Sequence, residues 1–338
     1  MRKLYAMLGV IVAAILGWTA WWFFIATAKD RALEAWLAAR RADGWVAEAA
    51  AIDVGGFPYR VDTTIRDLEL ANPEGGWSWK APEFQFTALA YQPNHLIAFW
   101  PPEQTVSTPF GATQVTSQTL RGSVIFQPNP RLGLRRATIE LKDVVLAGAQ
   151  GWRVGLADGI LALREAEAPD APPNAYDVAL DAHGVTPPAA IARSIASGVL
   201  AERIDAVSFE ATAVFDRPLD REAVEGARPS IERLVIDDAV FAWGRLDLRA
   251  HGALVADADG LAEGRIDLRA RNWREMVDIA ERSGALSPGV ASALQGGLGL
   301  IARLGGDRNS IDAALDFAGG SVRLGPIPLG PAPRLAAR

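Results

Sequence analysis

A chain of 338 residues suits one large domain or two ordinary ones, and with 50% hydrophobic residues it can build a sizeable core, which argues against disorder. The formal charge of −6 argues against a nucleic-acid partner, which needs clustered positive charge on one face. The absence of cysteine removes disulfides, thiolate chemistry and cysteine-ligated metals, though it does not choose a compartment.

The first segment does choose. Leu4 to Ile25 reads LYAMLGVIVAAILGWTAWWFFI, without a charge. As a helix it spans about 33 Å, enough for the hydrocarbon core of a bilayer. Arg2 and Lys3 precede it, while Trp18, Trp21, Trp22, Phe23 and Phe24 crowd its far end, where amphipathic rings favour the membrane interface. The charge bias predicts a single-pass inner-membrane anchor with its amino terminus in the cytoplasm and the bulk of the chain in the periplasm. A rival reading is a signal peptide cleaved after Ala28, since Ala26-Thr27-Ala28 has the small-x-small form. The run is longer than a signal core and ends in bulky aromatics, which favours the anchor; either way the remainder is exported.

Residues 28 to 43 continue with Leu33, Trp36 and Leu37 at helical spacing, and Gly44 is placed to end the helix. Two readings are open for it: a stalk packed on its own domain, or a helix lying on the membrane surface. After Gly44 the period changes. Ala47 to Val54 is short and apolar, and Gly55-Gly56-Phe57-Pro58 supplies turn chemistry before Val61, Thr63 and Ile65 alternate with polar partners. This predicts a bend between two antiparallel strands, with Phe57 where the bend meets the core. Leu68 and Leu70 follow after a phase slip consistent with a bulge.

To about Arg164 the signals are nearly all β: Phe84, Phe86, Ala88 and Ala90 on one face, then Val115–Thr119, Gly122–Phe126, Arg136–Leu146 and Gly159–Leu163. The run EAEAPDAPPN is poor in hydrophobes and rich in proline, and reads as a linker. Helices are expected over Ala189–Ile204, Asn272–Arg282 and from Pro288 to about Leu304. Between them, strands are expected at Val207–Phe215, Leu234–Trp243, Leu246–Leu254, Gly264–Ala270 and Ala313–Phe317.

An internal echo runs through the chain. Asp67 opens DLELANPEGGWSW, Asp143 opens DVVLAGAQGWRV, and a fainter copy begins at Asp238 with DAVFAWGRLDL. Each gives an aspartate, an alternating strand, a Gly/Trp turn region and another strand, which suggests a sheet extended by adding hairpins. The expected fold is therefore α+β and β-dominated: a transmembrane helix, then long curved antiparallel sheet built of repeated hairpins, with a few packing helices in the C-terminal half. Its parts are an anchor (1–27), a stalk helix (28–43), an N-terminal β half (44–164), a Pro-rich linker (165–186) and a C-terminal β half with helices (187–338).

Catalytic patterns are missing. His95, His183 and His251 lie far apart, and no G-x-S-x-G, H-E-x-x-H or P-loop occurs. GLGLIA, Gly297 to Ala302, fits a dinucleotide fingerprint on paper but lies inside an expected helix without a preceding strand. Asp237-Asp238 reads as a strand edge and Arg131–Arg136 as a solvated hairpin tip. No cofactor, metal or enzymatic activity is expected. The distinctive asset is apolar bulk, with Trp77, Phe84, Phe86, Trp152 and Trp243 as candidates to line an apolar groove that accepts acyl chains. An ordinary packed core is the competing reading.

The order of anchor, helix, short strand and GGFPYRV, with LAEGRIDLRARNW (Leu261–Trp273) and the close VRLGPIPLGPAPRL (Val322–Leu335), resembles the DUF2125 family of uncharacterised alphaproteobacterial proteins. That resemblance covers almost the whole chain and brings no active site with it. The family in turn is similar to AsmA-like envelope proteins, which implies a part in lipid handling or envelope maintenance, by a local holder or shuttle rather than a bridge between membranes. A non-catalytic scaffold that binds another envelope protein is the alternative.

Overall fold

A computed structural model describes residues 2–188, 202–226, 228–282, 284–304 and 307–336. The chain forms a long N-terminal apolar helix followed by a large antiparallel sheet of eighteen strands, with few helices in the C-terminal half. It divides into two compact units. Residues 1–125 with 146–151 make the first, and residues 126–145 with 152–338 make the second.

In the first unit, α1 (Arg2–Ala42) is one uninterrupted helix, so anchor and stalk are continuous. It ends in paired backbone bonds at Gly44, from Gly44 N to Arg41 O (3.1 Å) and from Trp45 N to Arg40 O (3.0 Å), which satisfy carbonyls left open at a helix end. The sheet starts with β1 (Val46–Glu48) and β2 (Ala51–Gly55), both paired to the same side of β3 (Arg60–Asn72). β3 pairs in turn with β4 (Trp77–Leu89) along its whole length. Next come β5 (Gln92–Phe99), β6 (Glu103–Thr108), β7 (Gly111–Thr116) and β8 (Thr119–Phe126), of which β5 and β6 both extend from β4.

One side of β3 is buried at Val61, Thr63 and Ile65, then at Leu68 and Leu70. The step in phase is real but is not a bulge between these strands: Arg66 faces Glu83 and Leu68 faces Ala81 without a change of register. Asp67 makes the step by adopting a left-handed φ of 49°, a conformation aspartate tolerates better than most side chains. Asp143 does the same, with φ 48°. Both echo copies therefore begin at the same backbone device. The third copy begins at a bulge, where Glu210 faces Asp238 and Ala211 faces Ile236, leaving Asp237 as the extra residue. Asp237-Asp238 is thus in the middle of a strand, not at an edge. Each copy then closes on a turn with a left-handed glycine, Gly76, Gly151 or Gly244.

The second unit continues as a meander. β9 (Leu134–Gly148), β10 (Arg153–Glu165), β11 (Ala175–Val185) and β12 (Ile204–Phe215) come first, followed by the short α2 (Arg221–Glu225). β13 (Ile231–Trp243), β14 (Leu246–Ala256) and β15 (Ala262–Arg271) precede α3 (Trp273–Arg282) and α4 (Pro288–Leu304). β16 (Ser310–Ala318), β17 (Ser321–Leu324) and β18 (Ile327–Pro331) close the chain. β9 begins in this unit and ends in the first.

The linker expected at 165–186 is mostly strand. β11 pairs with β10 over 176–183 and with β12 along nearly its whole length, and of the expected linker only residues 166–174 and 186 lie between strands. The helix expected at Ala189–Ile204 falls largely outside the described residues, apart from its end, where Ile204 opens β12. GLGLIA lies inside α4, so the helical context that argued against a dinucleotide site is present. α3 and α4 pack on the sheet through Trp273, Val277, Ala291, Leu294, Leu298 and Ala302, against Ala270, Ile311 and Leu324.

Candidate functional site

Two places in the chain concentrate unusual chemistry, one in each unit. The first is where α1 meets β3 and β4. Along the helix, Trp22 and Ala26 pack on Val61, and farther on Leu33 and Leu37 pack with Ile65, Leu68 and Leu70. The second half of α1 is therefore a stalk seated on its own sheet, held by apolar burial of about 1.5–3 kcal/mol for a side chain such as Leu37.

Higher up, three indoles fasten the helix to two turns. Trp18 Nε1 donates to the Pro58 carbonyl (2.9 Å), Trp22 Nε1 to the Arg60 carbonyl (2.6 Å) and Trp21 Nε1 to the Ala90 carbonyl (3.3 Å). Of the five residues expected at a membrane interface, Trp22 is thus buried inside the protein at 5% exposure, while Trp21, Phe23 and Phe24 are exposed.

The Gly55-Gly56-Phe57-Pro58 bend does join two antiparallel strands, β2 and β3. Arg60 N closes it onto Gly56 O at 3.0 Å. Phe57 departs from its expected place. It is 51% exposed and turns to the helix, edge-on to Trp22 with ring centres 5.4 Å apart and stacked near Phe23 at 6.3 Å. The strands' own core is already filled by Val61 and Ile65, so the ring docks on α1 instead.

Between the two groups of apolar contacts sits Lys29. Its Nζ is buried with no hydrogen-bond partner among the described residues and lies 5.7 Å from the centre of the Phe86 ring. Thr63 Oγ1, on the facing strand, is likewise buried and unpartnered.

The second place is the sheet of the second unit, whose two faces differ in chemistry. Residues opposite one another across a ladder share a face. One row runs Leu161, Leu180, Phe209, Ala239, Ala250, Leu268, Ala313, from β10 to β16, and every member is apolar. The next row on that face runs Leu163, Val178, Ala211, Ile236, Gly252, Ile266, Leu315. At the β14–β16 end, α3, α4 and Leu335 cover these rows. At the β10–β12 end Leu161 is 39% exposed, and Leu163, Val178, Leu180 and Phe209 are only half-buried.

The opposite face carries the ion pairs, although Ile160, 50% exposed on β10, also lies on it. Arg164 meets Asp177 at 3.0 Å, Arg269 meets Asp312 at 2.6 Å, and Arg265 meets Asp267 at 3.0 Å and Asp316 at 3.8 Å. A cavity of about 610 Å³ opens there across β9 to β13, between Arg136, Arg164, Asp177, Glu210 and Asp237. A second, of about 460 Å³, lies between Arg249, His251, Arg265, Asp267, Arg269 and Asp312. Arg136, expected at a hairpin tip, is therefore part of a cavity wall; Arg131 is in the β8–β9 turn.

The residues singled out as groove candidates are not all brought together. Trp77, Phe84 and Phe86 join one cluster in the first unit with Trp79, under the stalk. Trp243 is buried in the second unit with Leu246, Phe241, Met276 and Ile279, and Trp152 is 37% exposed at the β9–β10 turn. The half-covered apolar rows carry leucine, valine and phenylalanine instead. Period-two alternation in AYDVALDAH and AVSFEATAV marks them in the sequence, but the first stretch was hidden behind the proline run.

His95 faces Ser123 at 2.9 Å and His183 faces Asp181 at 2.9 Å. Among the described residues no group of three His, Asp or Glu is placed to hold a metal ion.

The fold and these two places define a class: a sheet protein carried on a helix long and apolar enough to cross a membrane, with one sheet face apolar and the other ionic. The family model described as an uncharacterized protein conserved in bacteria, DUF2125, matches residues 22–333, and the chain belongs to that family. No curated protein and no solved structure matches the chain.

Proposed function

We propose that this protein is an inner-membrane-anchored periplasmic lipid-binding protein that holds acyl chains on the apolar face of β10–β13. The observation that carries this reading is the row Leu161, Leu180, Phe209, which continues an all-apolar row across the sheet and leaves Leu161 39% exposed and its two neighbours half-buried. Burying apolar surface yields roughly 25 cal/mol per Å², so a chain laid along such a strip is held without any polar contact. The ion pairs of the opposite face keep that face in water.

The role we propose is non-enzymatic: in the larger cavity the Arg164 and Asp177 side chains are paired with each other. Tethering at α1 suits a local holder or shuttle in envelope maintenance.

The test is purification of the full chain from native membranes in mild detergent, followed by mass spectrometry of bound lipid. A stoichiometric lipid lost in Leu161→Glu supports the reading, and a lipid-free wild-type protein overturns it.

A second reading, a scaffold that binds another envelope protein, draws on the ionic face, where Arg269 and Asp312 are paired yet 63% and 69% exposed at their side chains. Crosslinking that captures one stoichiometric protein partner through that face, with no bound lipid, would select it.

A further inference from the structure

The three indole bonds set a depth. Trp18, Trp21 and Trp22 belong to the last turns of the apolar run, and the residues they hold, Pro58, Ala90 and Arg60, must lie at the same height. From Trp18 to Ile25 a helix rises about 10 Å, so the β2–β3 and β4–β5 turns stand beside the final 10 Å or so of a segment that needs about 30 Å to cross hydrocarbon.

The two turns are also tied to each other, Ala90 N donating to the Tyr59 carbonyl at 2.8 Å. What they present outward is aromatic. Phe57 is 51% exposed, Tyr59 67% and Tyr91 59%, next to Phe23 at 57% and Phe24 at 66%. Water is a poor solvent for such a cluster, whereas the headgroup–acyl boundary favours rings with an apolar body and a polar tip.

We propose that these turns are a membrane-docking collar: Phe57, Tyr59 and Tyr91 insert into the interface of the same bilayer that α1 crosses, and so seat the first unit on the lipid surface. The collar rests on the anchor reading of α1, because the helix supplies its depth. Arg60, whose side chain is 62% exposed and paired to Asp62 at 3.0 Å, stands next to Tyr59 at headgroup level. A bilayer is favoured over a protein partner because the patch is continuous with the exposed end of the apolar helix.

The chain has no cysteine, so single-cysteine variants of the full protein can be labelled cleanly with an environment-sensitive NBD fluorophore. Tyr59→Cys and Tyr91→Cys report the collar, Val12→Cys the middle of the apolar run, and Phe110→Cys an exposed hairpin tip (93%). Both tyrosines are exposed, so their replacement leaves the fold intact. The labelled proteins are reconstituted into phosphatidylcholine–phosphatidylglycerol vesicles carrying nitroxide lipids.

The collar requires blue-shifted emission at 59 and 91, quenched by nitroxide near the headgroups. Position 12 should be quenched by deep nitroxide, and position 110 should be unaffected. Labels at 59 and 91 that behave like 110 while 12 is quenched overturn the collar and leave the anchor standing. Blue-shifted labels that no lipid nitroxide quenches also overturn it, since protein then covers the turns. A label at 12 that stays unquenched removes the anchor reading and the collar together.

Discussion

The indole of Trp22 donates to the backbone carbonyl of Arg60 across 2.6 Å, joining an apolar N-terminal helix to the turn that opens the longest hairpin of the first unit. The ring is 5% exposed, and its bond is one of three that replace water at carbonyls of the two turns. Trp22→Phe keeps most of the apolar contact but leaves the Arg60 carbonyl without this donor. A loss of about 1–3 kcal/mol is expected in denaturant unfolding of the detergent-solubilised protein. An unchanged midpoint would mean that the bond contributes nothing to docking.

Gly56 is a sharper test of the same region. Its φ is +97°, and an added Cβ would stand 2.9 Å from both the Arg60 carbonyl oxygen and the Asp62 carboxylate. Gly56→Val therefore combines a strained backbone with a clash against main chain, a penalty on the order of 2 kcal/mol or more. A fall in melting temperature is expected, whereas the same change at Gly55, with open space around it, should be mild. Equal behaviour of the two variants would contradict the turn geometry.

Lys29 makes the opposite prediction. Its Nζ is buried without a hydrogen bond, so the side chain stabilises through its stem and costs through its head. Lys29→Met keeps the stem volume and removes the cost, and should raise stability by about 1 kcal/mol or more. A clear drop in the unfolding midpoint would show that attraction to the Phe86 ring and to the charge of Asp62 outweighs the cost of burial.

Tyr176 supplies a pH dependence. Burial, aided by the negative charge of Glu165, pushes its phenol above the ordinary value of 10.0, and the hydroxyl donates to the Leu134 carbonyl at 3.0 Å. The unfolded chain therefore ionises first. The stability this provides is complete below the unfolded pKa and is lost as pH climbs through the folded one. Tyr176→Phe should cost about 1 kcal/mol at neutral pH and then lack this alkaline decline. Parallel stability curves for the two proteins across the alkaline range would contradict it.

Much of the architecture was legible because its signals are local. The strand–turn–strand echo pointed to Asp67, Asp143 and Asp238, and each marks a backbone irregularity followed by a turn with a left-handed glycine. The echo could be read because aspartate and glycine are selected by the backbone itself.

Long-range choices were less legible. β11 was hidden because a proline-rich run next to it drew the linker boundary too far, although its own alternation is plain. The tryptophans at the end of the apolar run suit a lipid interface by composition alone. Only the fold shows that three of them donate to turn carbonyls of the protein. Phe57 faces the helix because the core beneath it is already full, and that is decided by packing rather than by spacing. The apolar face of β10–β13 was missed in favour of large aromatic residues, since rows of leucine and valine gain meaning only once cross-strand register is known.

Site-specific photocrosslinking in native membranes tests the lipid-binding reading most directly, with a benzophenone amino acid at Phe209 on the apolar face or at its neighbour Ser208 on the ionic one. Lipid-mass adducts at 209 and none at 208 are the outcome expected of an acyl chain lying along β10–β13. Adducts absent from 209, or equally frequent at both positions, would contradict a bound lipid on that face.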